Sequence, residues 1–263
     1  MHQDVIDLRS FYYRTKLGRS AQVALQDALR TLWPNTKGMV VVGFGFAVPV
    51  LRPFLRDSQR VLAFMPDQQG VMPWPPAMDN VTTLVHETRW PVPAGSVDRL
   101  VVAHGLETCE SPQDLLTEIW RVLSPGGHVV FVVPNRSGLW ARTDATPFGN
   151  GRPYSFGQLE SLLRKCRFSP EHHEAALYFP PSHGRFWQKT AKLWEKMGRR
   201  YNPQMVAGAL LVEAAKNVHP GSAENPSRLT VPGPLEVLEG LAGSKPKPLP
   251  GNSFAVHRDG FER

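Results

Sequence analysis

The sequence predicts an α/β domain built on a mostly parallel sheet with helices on both faces. Three observations lead there. Short apolar runs alternate with helical segments from residue 38 to residue 133, joined by loops of a few residues. The first of these runs opens into Gly43-Phe44-Gly45 directly before a helical segment. A capped helix at Ser111 to Leu123 is cut by Pro125-Gly126-Gly127 just ahead of the run HVVFVV.

The elements follow in order. Residues 6–33 read as one helix, a cap on the domain, with Val23, Leu25, Leu29 and Leu32 near helical spacing and Trp33-Pro34-Asn35 as its stop. Gly38 to Val42 is a buried strand. Ala47 to Arg56 is a helix that Pro53 should bend. Arg60 to Phe64, Val81 to Val85, Val97 to Ala103 and His128 to Val133 are further strands. The Pro-rich stretch PDQQGVMPWPPAMDN between the second and third strands reads as a loop. A helix from Ser155 through Arg167 comes next, then strands at His172 to Tyr178 and Gly208 to Ala214. The helix between those two strands, Arg185 to Arg200, has Phe186, Leu193, Trp194 and Met197 on one stripe, which is expected to pack on the sheet, with Trp187 turned away among lysines. The domain is expected to span 1–218. Residues 219–263 hold seven prolines and six glycines, and their five basic and five acidic side chains leave no charge bias, so a flexible tail outside the core is expected.

Composition narrows the function. The chain has 263 residues, 41% of them hydrophobic, enough for one substantial core. No apolar run is long enough to span a membrane, and residues 1–16 carry two Asp and no apolar centre, so a secretory signal is not expected. Cys109 and Cys166 have neither metal-ligand nor redox spacing, which fits reduced thiols in a cytoplasmic protein with no metal site. The net charge is +7, and twelve Lys/Arg against five Asp/Glu between Arg136 and Arg200 account for all of it. That segment is either a solvated face or a surface for an anionic substrate, an acidic partner or nucleic acid.

Residues 111–135, SPQDLLTEIWRVLSPGGHVVFVVPN, resemble the class I S-adenosylmethionine-dependent methyltransferases, in particular the small-molecule group called type 11 methyltransferase domains. Arg121, Val122, Leu123, Pro125, Gly126 and Gly127 match that group's R-V-L-x-P-G-G. Val97-Asp98 with His104, Leu106 and Glu107, and the stretch YSFGQLESLLRKCRF at 154–168, match flanking motifs in the same order. The resemblance covers roughly residues 20–216. It implies a Rossmann-like, seven-stranded sheet in the order 3-2-1-4-5-7-6 with an antiparallel seventh strand, and S-adenosylmethionine as cofactor.

Site residues follow from the same resemblance. Gly43, Phe44, Gly45 and Phe46 would approach the cofactor through backbone, Met65 and Pro66 fall where its ribose is received, and His86 and Glu87 where its adenine is. His104 borders the same site and is the candidate general base. Tyr12 and Tyr13 on the N-terminal helix, with Arg136, Trp140, Arg152 and Tyr154 after the fifth strand, would wall the methyl acceptor. The pattern departs from the family at three acids: Val41, Met65 and His86 stand in their places. Two functions stay open, a methyltransferase acting on a small-molecule or protein acceptor and a methyltransferase-like chain that regulates a protein partner. Nucleic acid is not expected as substrate, because no appended RNA-binding module is visible.

Overall fold

The computed structural model describes residues 3–182, 184–201 and 206–217. The tail expected at 219–263 lies outside the described residues. Two helices, α1 (Val5–Arg14) and α2 (Lys16–Leu32), precede a sheet of seven strands. In chain order the rest are β1 (Val40–Gly45), α3 (Val48–Leu51), β2 (Arg60–Pro66), β3 (Thr82–Val85), β4 (Val97–Ala103), α4 (Pro112–Val122), β5 (Leu123–Pro134), α5 (Phe156–Lys165), β6 (Phe168–Ala176), α6 (Arg185–Tyr201) and β7 (Ala209–Lys216). The sheet order is β3-β2-β1-β4-β5-β7-β6, and β7 runs antiparallel to both β5 and β6. Both expectations, the order and the reversed seventh strand, hold.

Each face of the sheet has its own core. On one, Val41, Met65, Val101, Val130 and Leu211 meet α1, α2 and α3. On the other, Val42, Phe64, Leu100, Val129 and Val212 meet α4 and α5. The alternation of neighbours such as Val41 and Val42 between faces is the period of two of a strand buried on both sides.

The differences from the sequence reading have local causes. The expected helix 6–33 is two helices. Thr15 leaves helical geometry (φ −99°, ψ 150°) and caps α2, its hydroxyl accepting the Gly18 N–H at 2.9 Å. A side chain at Gly18 would collide with the Phe11 carbonyl, so the small residue lets the two helices close on each other. The expected helix 47–56 is one turn of α-helix followed by a 3-10 turn at Arg52–Leu55, where Pro53 cannot donate. β5 begins at Leu123 rather than His128, because Leu123 already pairs with Val97 across a bulge.

α6 is the largest departure. It faces the domain with small residues: Ala191 and Glu195 are buried, and Gly198 lies against the Tyr178 ring. The stripe expected to pack on the sheet points outward instead, and Trp187 is half-buried rather than turned away.

Candidate active site

The strand order reverses between β1 and β4, since β1 leads toward β2 and β3 while β4 leads toward β5. The crevice beyond their carboxyl ends is where open α/β sheets bind ligands. β1 delivers Gly43, Phe44 and Gly45 there, followed by Phe46, and all four are buried. Gly45 has φ +78°, and a side chain on it would collide with the Ala103 carbonyl of β4. Glycine is what permits this turn to fold so tightly against the neighbouring strand.

His104 follows β4 directly and is 2% exposed, with φ +51°. A non-glycine residue in this left-handed region is strained, and such strain gathers at functional positions. Its Nε2 lies 2.7 Å from the Tyr12 hydroxyl, and its Nδ1 lies 3.3 Å from Glu107 Oε1. In the tautomer with its proton on Nδ1, the nitrogen nearer Glu107, Nε2 accepts from the Tyr12 hydroxyl. Burial holds the Tyr12 hydroxyl well above its ordinary pKa of 10.0, with the Glu107 charge acting in the same direction. Tyr12 therefore stays protonated and suits the donor role.

Three ties hold α1 over this array. The Gln3 side chain donates to the Pro147 carbonyl at 2.7 Å, the Val5 N–H donates to the Gln69 carbonyl at 2.9 Å, and Tyr12 reaches His104. The Gln69 side-chain amide in turn donates to the His104 carbonyl at 3.0 Å. Phe46 stacks on Tyr12 with ring centroids 5.9 Å apart, and Phe148 meets the His104 ring edge-on at 4.9 Å.

Several buried polar atoms have no hydrogen-bond partner among the described residues: both carboxylate oxygens of Glu107, His104 Nδ1, Gln69 Oε1 and the Thr146 hydroxyl. A buried carboxylate without a hydrogen bond is costly. Ordered water or a ligand would satisfy such atoms.

The other expected site residues are distributed around this centre. Met65 and Pro66 end β2 and are buried; Asp67, the next residue, is exposed. His86 is exposed at the end of β3, and its Nδ1 lies 3.2 Å from the Thr88 N–H. Glu87 is buried and faces Cys109, whose Sγ lies 3.4 Å from Glu87 Oε2. Burial, with the Glu87 charge second, pushes the Cys109 thiol up to about 12. Cys109 is thus no nucleophile at neutral pH.

Tyr13 is half-buried against the α1 core. Arg152 and Tyr154 line a cavity of ≈ 380 Å³ together with Glu107 and Cys109, so this pair does border the Glu107 end of the array. Arg136 is exposed. Trp140 is fully buried and donates its indole N–H to the Phe179 carbonyl at 2.7 Å, with its ring against Phe148, Phe179 and Gly208.

Gln69, Thr146 and Phe148 were not read as site residues from sequence. Glu107 was read only as part of a motif match. A Gln in a Pro-rich loop carries no periodic signal, and only the fold brings it onto His104.

Residues 48–131 match a protein family described as methyltransferase domain, type 11. No curated protein matches the chain. Among solved structures the chain is similar to a Haloferax volcanii methyltransferase solved with the Trm112 methyltransferase activator (TM-score 0.57, 18% identity, 81% of this chain and 97% of that one). It is also similar to an S-adenosylmethionine-dependent methyltransferase of Thermotoga maritima (TM-score 0.52, 16% identity, 76% and 91%). A third is the YcgJ protein of Bacillus subtilis (TM-score 0.51, 11% identity, 74% and 99%). Residues 48–131 thus match a methyltransferase domain, and the chain has the Rossmann-like fold of the class I S-adenosylmethionine-dependent methyltransferases.

Proposed function

We propose that the chain is an S-adenosylmethionine-dependent methyltransferase whose acceptor presents an ionisable O–H or N–H to His104. The observation that carries this reading is the Tyr12–His104–Glu107 array at the switch point, with the Glu107 carboxylate buried and without a hydrogen bond among the described residues. The residues present fit the cofactor. Its methionine end carries an ammonium and a sulfonium, and an uncompensated buried carboxylate is the complement of a cation. The Gly43–Phe46 turn would hold the cofactor through backbone, Asp67 offers a carboxylate one residue beyond β2, and Glu107 would balance its positive charge. When bound, the cofactor supplies an electrophilic methyl group.

The protein's own part is positioning and proton transfer. With its proton on Nδ1, the nitrogen nearer Glu107, His104 has Nε2 free to accept. An acceptor that displaces the Tyr12 hydroxyl would meet Nε2 with its own proton, and His104 would take that proton as the methyl group is captured. Arg152 and Tyr154 lie on the side of Glu107 from which an acceptor could approach.

One observation favours a second reading, a methyltransferase-like chain that works through a partner. Tyr12 and Phe46 fill the crevice, so ligand entry requires α1 to move. A calorimetric titration with S-adenosylhomocysteine separates the two. The enzyme reading expects binding at about tens of micromolar, weakened by the missing ribose acid. Absence of heat at millimolar ligand would leave only the partner reading. With radiolabelled S-adenosylmethionine and cell extract as the acceptor source, His104→Gln should lower methyl incorporation by about 10²–10⁴-fold.

A further inference from the structure

α6 is anchored by one narrow face. Glu195 accepts the backbone N–H groups of Leu177 and Tyr178 at 3.3 and 3.0 Å, and the Arg199 guanidinium donates to the Ala24 carbonyl at 2.6 Å. Apart from half-buried Trp187, the large apolar side chains of the helix point away from the domain. Phe186 is 65% exposed, Leu193 58%, Trp194 39%, Met197 46% and Tyr201 74%.

At about 100° per residue these five side chains fall within an arc of roughly 100°. Lys189, Lys196 and Arg200 run along one margin of that arc, all exposed. Trp194 and Tyr201 stand toward the other margin. Beyond the basic margin a groove of ≈ 980 Å³ lies between α6 and α2, where Lys16 and Arg19 of α2 face Lys189, Lys192 and Lys196 of α6. The acidic groups there are Glu195, already engaged, and Asp27, which lies 3.6 Å from Arg30.

We propose that α6 docks this protein on an anionic phospholipid surface, with the Phe186–Tyr201 stripe in the headgroup–acyl boundary and the α2–α6 lysines on the headgroups. The arrangement matches a planar interface in both its parts. A helix with aromatic and Leu/Met side chains on one arc and cations along its margin lies in the plane of a membrane, where lysine stems reach past the apolar layer to the phosphates. Charge complementarity selects the lipid, because the described exposed charges of α6, on Lys189, Lys192, Lys196 and Arg200, are all positive and an anionic leaflet attracts each of them. The mode is docking on a surface: among the described residues no helix is long and apolar enough to cross a membrane.

The test is co-sedimentation of the full chain with vesicles of phosphatidylcholine alone or of phosphatidylcholine mixed with phosphatidylglycerol, at about 50 mM and about 500 mM salt. Binding is expected to the anionic vesicles at low salt, to fall at high salt, and to be negligible on phosphatidylcholine. Lys189→Glu with Lys192→Glu and Lys196→Glu should weaken it by more than about a hundredfold, at roughly fivefold or more per lysine. Leu193→Ser with Met197→Ser should weaken it by about tenfold or more, and both sets change exposed positions, so thermal stability should stay unchanged.

No sedimentation with anionic vesicles at low salt would overturn the proposal, as would binding that neither set alters. A dimer in size exclusion that Leu193→Ser with Met197→Ser dissociates, without vesicle binding, would give this face to a second copy instead. Capture by an acidic polypeptide such as polyglutamate, with no response to vesicles, would give it to a protein partner.

Discussion

Two buried carboxylates, each beside histidine, sit at opposite ends of the same sheet. At the amino end of β5, Glu213 accepts the Trp33 indole N–H at 2.7 Å, and its oxygens lie 3.1 Å from His128 Nδ1 and 3.2 Å from His172 Nδ1. At the carboxyl end, Glu107 has His104 at 3.3 Å and no hydrogen bond to either oxygen. Burial opposes ionisation of Glu213, but the His128 and Trp33 contacts outweigh it and hold its pKa below the ordinary 4.5. One carboxylate is fully answered by the protein and serves the fold. The other makes no such hydrogen bonds where strands meet the crevice, and on the proposed function it is the group that a bound cofactor would answer.

The largest expected effect breaks the answered side. Glu213→Ala strands the Trp33 N–H and removes the partner of two histidines, so it should cost about 2–3 kcal/mol in urea unfolding. Binding of S-adenosylhomocysteine by the protein that remains folded should be unchanged. A cost under about 0.5 kcal/mol would show that this cluster is decoration rather than support.

Glu107→Gln reverses the pattern. Removing an unpaired buried charge should leave stability equal or slightly higher, while S-adenosylhomocysteine affinity should drop by about tenfold, the worth of one charge-assisted contact. If stability falls and affinity holds, Glu107 belongs with Glu213 as a structural group, and the contrast between the two ends disappears.

The same contrast should appear in pH. Glu213 has a folded pKa below its unfolded value, so its contribution is full above about pH 4.5 and is lost as pH falls through the folded value. Tyr12 has a folded pKa above its unfolded value, so its contribution is full below about pH 10 and is lost as pH rises toward the folded value. Urea midpoints against pH should therefore lose part of the acid slope in Glu213→Gln and part of the alkaline slope in Tyr12→Phe. Tyr13 and Tyr178, which burial raises to about 12, keep the rest of the alkaline slope.

How far the sequence reached can be read from the same residues. The sheet order and the reversed seventh strand were legible because the 111–135 motif and its flanks fix the order of elements. The position of His104 followed from its motif. The orientation of α6 was not legible. Its periodicity gives an apolar stripe but not a direction, and the face that packs is made of Ala191, Glu195 and Gly198, which no hydrophobicity pattern marks as inward. The break at Thr15 was missed because a cap inside a continuous helical pattern looks like one more polar position. Glu107 and Gln69 could be assigned only after the fold showed which of their atoms go without partners. An unpaired buried atom is a property of three dimensions, and spacing along the chain does not carry it.

The smallest expected effect is the most discriminating. Tyr12→Phe removes one hydroxyl and keeps the ring that stacks on Phe46, so the loss should be a single hydrogen bond, about 1 kcal/mol in unfolding free energy. That hydrogen bond belongs to the closed crevice, in which α1 covers His104. If a ligand must displace Tyr12, the variant loses part of what holds the crevice shut, and apparent affinity for S-adenosylhomocysteine should rise by up to about fivefold as stability falls. A lesion that weakens the fold and strengthens binding is not what a structural tyrosine produces. It is also not what a cofactor contact produces, since loss of a contact lowers affinity. Calorimetric titration of Tyr12→Phe beside Tyr12→Ala, with urea unfolding of each, reads both quantities. Affinity that falls with stability would make Tyr12 part of the binding surface and would end its role as the closure over an otherwise complete site.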